Sequence, residues 1–266
     1  MKGKKLIIKD KKTNLFIILS GIFLTNAILA EMIGVKIFSL EATMGFSPVE
    51  INILLDTPLS FNLTAGVIIW PVVFLTTDII NEYFGKKGVK KISFLTAGFI
   101  AYMFFVIYLV TKLPPATFWL DINNIDNAGN AFNINYAFRT IFRQGLGIII
   151  GSLVAFLIAQ LLDVFIFQRL KGLTGRKMIW LRATGSTLIS QFIDSFVVLG
   201  IAFYVFGNWN MDQVISVGII NYLYKFIVAI VLTPLIYLGR YFIDNYLGKE
   251  LADQMAEEAG KDRTFF

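Results

Sequence analysis

Polar side chains interrupt the apolar stretches of this 266-residue sequence at helical spacing. Gln191 and Asp194 are three residues apart, and Asn221 and Lys225 are four apart, so each pair shares one face of a helix. Together with Asn26 they lie deep within apolar segments, where ionisable groups are costly and usually functional. The carboxylate accepts hydrogen bonds, the ammonium donates them and the amides do both. These five residues are therefore predicted to bind a small polar substrate or an ion. The alternative is an Asp194–Lys225 salt bridge that only stabilises the helix bundle.

A second set of polar residues lies nearer the ends of the apolar segments. Gating or coupling-ion binding is one interpretation of this set, and solvated, lysine-paired or interfacial positions are the other. The set comprises Asp78, Asn81, Glu82, Asp163, Glu31, Arg139 and Arg143.

Cysteine and histidine are both absent from the sequence. This absence excludes disulfides, thiolate nucleophiles, Cys/His zinc sites and the Ser-His-Asp triad. We therefore predict no catalytic residue, no metal and no cofactor. A membrane-embedded enzyme would have only carboxylates for its chemistry, which makes it a weak alternative.

The composition predicts an all-α polytopic membrane protein with a single domain over residues 1–266. Hydrophobic residues make up 56% of the chain, charged residues only 16%, and the mean hydropathy is +0.70. About 20 mostly apolar residues are needed to cross a bilayer as a helix. Six segments meet or approach that length and are predicted to be transmembrane helices: 14–38, 62–84, 90–112, 143–168, 181–206 and 214–239. The first apolar segment is too long, and too polar at Asn26 and Glu31, to be a signal peptide.

Lysine and arginine fall on alternate connections between these segments. They are dense in residues 1–13, 85–91 and 169–182, and absent from residues 39–61, 113–136 and 207–213. The positive-inside rule therefore predicts that both termini are cytoplasmic. Residues 39–61 are also apolar, which suggests a lid or a re-entrant segment. The predicted location is the cell (inner) membrane, with several crossings.

The segment TTDIINEYFGKKGVKK at residues 76–91 resembles the signature of the queuosine precursor transporter family, also described as vitamin uptake transporters. The Asn-bearing first helix, LLDVFIFQRLK at 161–171 and ISQFIDSF at 189–196 fit the same family. Lys225 in NYLYKFIVAIVLTPL fits its last helix, so the resemblance covers nearly the whole chain.

The resemblance implies import of queuosine precursors for tRNA modification, such as 7-cyano-7-deazaguanine or 7-aminomethyl-7-deazaguanine. Asp194 would then accept from the donor edge of the base, while Gln191 and Asn221 fix its orientation. Lys225 would donate to the carbonyl of the base, and Asn26 would complete the wall. The partners implied are this small base and the lipid bilayer, with no nucleic acid.

Two further questions stay open at this point. The chain could instead be the substrate-binding membrane subunit of an energy-coupling-factor vitamin importer, which would need a separate ATPase because the sequence has no G-x-x-x-x-G-K-[ST] phosphate loop. The glycines at 145, 147 and 151 indicate close helix contact, either within one chain or in a homodimer.

Overall fold

The computed structural model describes residues 2–34, 36–47, 61–143, 145–174 and 178–261, and it describes the side chains of these residues except at positions 2–9, 146 and 261. The elements in chain order are α1 Lys2–Ile33, β1 Ile37–Ser39, α2 Leu40–Thr43, β2 Asn62–Thr64, α3 Trp70–Val110, α4 Thr117–Ile122, α5 Ile134–Phe142, α6 Leu146–Thr174, α7 Ile179–Leu199, α8 Met211–Leu247 and α9 Lys249–Lys261. A 3-10 turn precedes α3, and a π-helical turn extends α7 to Val205.

Long apolar helices dominate the described chain, which confirms an all-α polytopic membrane protein. Five helical stretches are long and apolar enough to cross a membrane: Asp10–Ile33, Trp70–Val110, Ile134–Thr174, Ile179–Val205 and Met211–Leu247. The six separate helices predicted from the sequence are not confirmed, because the segments 62–84 and 90–112 both fall in the helical run of α3. The predicted start at residue 62 is also early, since β2 and the 3-10 turn precede Trp70.

The helical run of α3 is broken at Gly85, where φ is +66° and ψ is −169°. A Cβ atom at Gly88 would lie 3.5 Å from the Cγ2 atom of Ile80. An unbroken helix would separate residues eight positions apart by about 12 Å, so the chain must turn sharply at Gly85. We call residues 70–84 the first arm of α3 and residues 86–110 its second arm.

Only glycine readily adopts the backbone conformation found at Gly85. The same residue allows the C-terminal helix α9 to approach closely, since a Cβ atom at Gly85 would lie 3.0 Å from the carbonyl oxygen of Ala259. Ala252, Met255 and Ala256 on α9 are buried against the bundle. The C-terminal segment thus packs beside the turn between the two arms.

Small and aromatic residues fill the centre of the bundle. Phe23, Val73 and Ile80 are fully buried in one cluster contributed mainly by α1, α3 and α6. Gly151 of α6 allows the π-helical turn to approach, because a Cβ atom there would lie 3.1 Å from the backbone nitrogen of Ala202. Such close approach lets van der Waals contacts hold helices together in lipid. The glycine contact expected from the sequence is thus made within one chain at this position.

A short two-stranded antiparallel ribbon of β1 and β2 follows α1, with Ile37 paired to Thr64. Buried Glu41 fixes it by accepting hydrogen bonds from the backbone of Phe61 at 2.8 Å and the hydroxyl of Ser39 at 2.9 Å. Helix α1 ends before this ribbon, so Lys36 lies outside the first membrane helix that was predicted to reach residue 38. Most of the predicted lid, residues 48–60, lies outside the described residues.

Candidate functional site

An ion pair between α7 and α8 lies inside the bundle. The ammonium nitrogen of Lys225 is 2.5 Å from Oδ2 of Asp194, and the two side chains keep 16% and 21% of their exposure. The two residues come from different apolar helices, and each is the charged member of one of the helical pairs identified in the sequence. Because the pair is only partly buried, its members can exchange partners without leaving an isolated charge in lipid.

A small cavity of about 20 Å³ adjoins this ion pair. Its lining residues come from α3, α6, α7 and α8 and are Trp70, Phe74, Phe156, Ala159, Gln160, Gln191, Asp194 and Lys225. The amide oxygen of Gln191 is buried and has no hydrogen-bond partner among the described residues. The wall therefore combines a carboxylate, an ammonium and amides, which is the usual mixture in a site for a small polar ligand.

Three aromatic rings form the other wall of this cavity. The rings of Trp70 and Phe74 are 5.8 Å apart and nearly parallel, at 18°, and Phe156 lies 6.0 Å from Trp70. Sequence reasoning named none of these residues and did not include Gln160 in the site. The aromatic content was visible, but 26 phenylalanines gave no means of choosing among them.

The remaining predicted substrate-binding residues do not line the cavity. Asn26 is half-buried, and its amide donates to the backbone oxygen of Ile22 at 2.8 Å. Asn221 is half-buried one helical turn before Lys225. Glu31, predicted as a gate or coupling-ion residue, is buried beside Ser152 and close enough to Asp194 to interact electrostatically.

A second charged group lies on the first arm of α3, on α6 and on α7, at the ends of these helices that are far from the Asp194–Lys225 pair. Arg182 donates to Glu82 at 2.8 Å, and the ammonium of Lys171 lies 3.1 Å from the same carboxylate. Lys171 also donates to the backbone oxygen of Glu82 at 2.7 Å. Arg182 and Glu82 are no more than 1% exposed. We call these three residues the Glu82 network.

The Glu82 network corrects one interpretation of the sequence. Lys171 and Arg182 belong to the basic connection 169–182 that the sequence places on the cytoplasmic side, and both are buried. The signal that could have shown this was position, since Arg182 already lies inside the predicted span 181–206. In the positive-inside pattern, these two residues therefore count as members of buried ion pairs and not as charges of a loop.

Polar contacts connect the first arm of α3 to α6. One contact comes before two acidic residues in sequence, and the other comes after them. Thr77 and Gln160 are 3.3 Å apart, and the amide of Gln168 donates to the side chain of Asn81 at 2.6 Å. Asp78 and Asp163 lie between these contacts in sequence, and both are at most 5% exposed. The structure thus brings Asp78, Asn81, Glu82 and Asp163 into one buried region.

The two predicted arginines lie elsewhere. Arg139 and Arg143 are exposed at α5, and the guanidinium of Arg143 lies 5.2 Å from the centre of the Tyr108 ring. A cleft of about 450 Å³ is also elsewhere: it lies between α1, the Gly85 turn and α9, and Lys12 and Glu258 pair across it at 3.7 Å. It contains none of the predicted site residues, so the Asp194–Lys225 cavity is the candidate site.

Comparison with known proteins identifies the family of the chain. Residues 64–239 match the family described as "Putative vitamin uptake transporter". The chain is 30% identical over 206 residues to the "Probable queuosine precursor transporter" of Bacillus subtilis, covering 76% of this chain and 83% of that protein. It is 29% identical to the protein of the same name from Haemophilus influenzae, over 65% of this chain and 66% of that protein. The "Queuosine precursor transporter" of Escherichia coli is 26% identical over 76% of this chain and 84% of its own length.

No solved structure matches the chain. The matched region contains the first arm of α3, α6, α7 and most of α8, which together build the cavity and the Glu82 network. The chain is similar over most of its length to proteins named as queuosine precursor transporters. It is thus a multi-pass membrane transporter, and not an enzyme, and it belongs to the vitamin uptake transporter family.

Proposed function

We propose that this transporter imports 7-deazaguanine precursors of queuosine, such as 7-cyano-7-deazaguanine and 7-aminomethyl-7-deazaguanine, for tRNA modification. The observation that carries the proposal is the cavity that joins an aromatic wall to the Asp194–Lys225 pair. A deazaguanine is planar and has a donor edge next to a carbonyl oxygen. Aromatic side chains stack on its faces, and a carboxylate beside an ammonium is complementary to its edge.

Binding in this site exchanges partners within the ion pair. The base presents two N–H donors to Asp194, which accepts both, and Lys225 turns to donate to the base carbonyl. Gln191 supplies the acceptor that has no partner among the described residues, and it thereby fixes the orientation of the base. Trp70 and Phe74 stack on the ring system. Asn26 and Asn221 line the path once the helices separate.

The cavity as described is closed around the site. Its volume of about 20 Å³ has room for about one water molecule and not for a bicyclic base. Access therefore requires α7 and α8 to move away from α3 and α6 at this end of the bundle, while the Glu82 network keeps the other ends of α6 and α7 joined to the first arm of α3. Asp78, Asn81, Asp163 and Glu31 act as gate or coupling-ion residues within the bundle.

We further propose six crossings with both termini in the cytoplasm. The turn at Gly85 supports this count, because the second arm of α3 is itself long enough to return across the membrane. The basic segment that begins at Lys86 then faces the cytoplasm, together with the N-terminal lysines. Labelling of single cysteines in this cysteine-free chain tests the proposal: residues 87 and 249 should be protected from impermeant reagents in intact cells, and residue 121 should react.

Uptake by the purified protein tests the function. The full chain in liposomes should take up labelled 7-cyano-7-deazaguanine without any ATPase or ATP. Uptake only after addition of an ATPase partner would instead identify a subunit of an energy-coupling-factor importer. Unlabelled 7-aminomethyl-7-deazaguanine should compete, whereas thymine, which lacks the donor edge of guanine, should not. Absence of uptake and of competition would contradict the proposed substrate.

A further inference from the structure

The buried region around Glu82 contains one more acidic group than it has basic groups to balance. Its carboxylates are Asp78 and Glu82 on the first arm of α3 and Asp163 on α6, all at most 5% exposed. Its cations are Lys171 on α6 and Arg182 on α7. With every group ionised, three negative charges face two positive charges, and the region carries one net negative charge among the described residues.

Both cations bind the same carboxylate. Arg182 is 2.8 Å and Lys171 is 3.1 Å from the oxygens of Glu82, and Lys171 also donates to the Glu82 backbone. With both cations ionised, the Glu82 network carries one net positive charge, and Arg182 also interacts electrostatically with Asp78. Asp78 and Asp163 carry two negative charges and lie close enough to each other to interact electrostatically, so one negative charge remains uncompensated among these described residues.

Each of these two carboxylates retains a free acceptor. Oδ1 of Asp78 and Oδ2 of Asp163 are buried and have no hydrogen-bond partner among the described residues. Ser190 lies 3.3 Å from the other oxygen of Asp163, and the hydroxyls of Ser186 and Thr187 are also close to it. The pair is thus surrounded by the oxygen ligands that hard monovalent cations prefer.

A cavity of about 20 Å³ adjoins one member of this pair, Asp78. Asp78 lines it together with Thr184 and Thr187 from α7, and Phe74 forms part of its wall. The part contributed by α8 is apolar and consists of Ala229, Leu232 and Ile236. Phe74 also lines the cavity at Asp194, so this ring contacts both spaces.

An ionised carboxylate is not stable in such a place without a counter-charge, because its desolvation costs several kcal/mol. We propose that Asp78 and Asp163 together bind one monovalent cation, a proton or a sodium ion, whose movement drives substrate transport. The inference rests on the proposed function and deepens it. Glu82 is not part of the cation site, since Arg182 and Lys171 already neutralise it. Phe74 links the two sites, because it must move when either space enlarges.

Gradient-driven accumulation in liposomes tests this inference. The full chain is given labelled 7-cyano-7-deazaguanine with an inward tenfold sodium gradient, with an inward proton gradient of one pH unit, or with neither. One coupled cation moving down a tenfold gradient supports about tenfold accumulation of a neutral substrate. We expect this accumulation in one arm only, and that arm identifies the cation. In Asp78→Asn and Asp163→Asn the substrate should bind and equilibrate but not accumulate, whereas exposed Asp121→Asn should behave as the unaltered protein.

Accumulation by both aspartate variants, or equilibration alone by the unaltered protein under both gradients, would overturn the inference. A melting experiment in detergent tests the cation site without any substrate. Exchange of sodium for choline at constant ionic strength, or a change of pH, should shift the melting temperature of the unaltered protein more than that of Asp78→Asn. Equal shifts would also overturn the site. Failure of substrate binding together with a normal cation-dependent shift would contradict the proposed substrate alone.

Discussion

The two charged regions of the bundle are built from the same residue types but differ in burial and in connection. The Asp194–Lys225 pair joins two helices by one contact, retains 16–21% exposure and adjoins a cavity with an unpartnered amide oxygen. The Glu82 network joins α3, α6 and α7 by several contacts, and none of its side chains exceeds 5% exposure. An ion pair with one contact and an adjacent cavity can change partners. A network with several contacts and no such cavity beside it among the described residues can only hold helices together.

This difference distinguishes an ion pair that takes part in function from one that only stabilises the structure. Removal of one member of a fully buried pair leaves a charge that nothing can solvate, so its loss appears in stability. The Asp194–Lys225 pair keeps 16–21% exposure and adjoins a cavity, so loss of one member should appear chiefly in substrate binding. Removal of one charged group should therefore lower the stability of the protein in the Glu82 network and lower substrate binding at the Asp194–Lys225 pair.

The largest effect is expected from Arg182→Met in the Glu82 network. Because Glu82 would remain buried without its arginine, the free energy of unfolding should fall by about 3–5 kcal/mol. Thermal denaturation in detergent measures this loss, with exposed Arg169→Met as the matched control. Equal melting temperatures for the two variants would show that the network does not hold the bundle together.

Asp194→Asn should affect transport instead. Asparagine has one acceptor oxygen and no charge, so it cannot accept the two charged hydrogen bonds that the carboxylate accepts from the base. Loss of charged hydrogen bonds worth about 3 kcal/mol should lower kcat/KM for uptake about a hundredfold. The melting temperature should change far less than in Arg182→Met. Initial rates of labelled 7-cyano-7-deazaguanine uptake measure the effect. A large loss of stability with normal uptake by the folded fraction would make this pair structural as well.

Gly85→Ala tests the turn that positions the Glu82 network. Its backbone conformation and its contact with Ala259 should make alanine destabilising by about 2 kcal/mol. Gly98→Ala on the second arm is the control, since a Cβ atom there would meet nothing within 4 Å. Denaturation should be easier for the first variant only, while substrate affinity of the folded protein stays unchanged. Equal stability of the two variants would argue against a strained turn.

The smallest effect is expected on the aromatic wall of the Asp194 cavity. Trp70→Leu removes one stacking surface worth about 1 kcal/mol, so KM should rise about fivefold with little change in kcat. Trp180→Leu, which replaces an exposed tryptophan, should leave KM unaltered. Competition binding with unlabelled base measures the same change. An unchanged KM for Trp70→Leu would place the base elsewhere.

The class of fold could be predicted from sequence because apolar length and charge placement follow directly from the bilayer. The break at Gly85 was visible as a basic glycine-containing segment, but the continuation of helix on both sides of it was not. A loop was expected at residues 85–89, whereas the helical run resumes directly after Gly85, which is consistent with the good helix propensity of lysine. The ribbon before α3 was also missed, because its short strands carry no long alternation.

The candidate site was only partly predictable, for a related reason. Helical spacing placed Gln191 with Asp194 and Asn221 with Lys225, since periodicity within one helix is written in the sequence. Which helices face each other is a property of packing, so Trp70, Phe156 and Gln160 could not be assigned to the same cavity. Burial of Arg182 was hidden by its position at a helix end, where a cation is ordinarily solvated.

The central claim is that this chain imports 7-deazaguanines through the Asp194–Lys225 site, and rescue of cells that cannot make queuosine tests it most directly. Such cells, supplied with 7-cyano-7-deazaguanine at low concentration, are scored for queuosine in tRNA. Rescue by the unaltered gene and by Asp121→Asn, but not by equally expressed Asp194→Asn, is the predicted result. Rescue by Asp194→Asn at normal rates, or no rescue by the unaltered protein despite its presence in the membrane, would contradict the account.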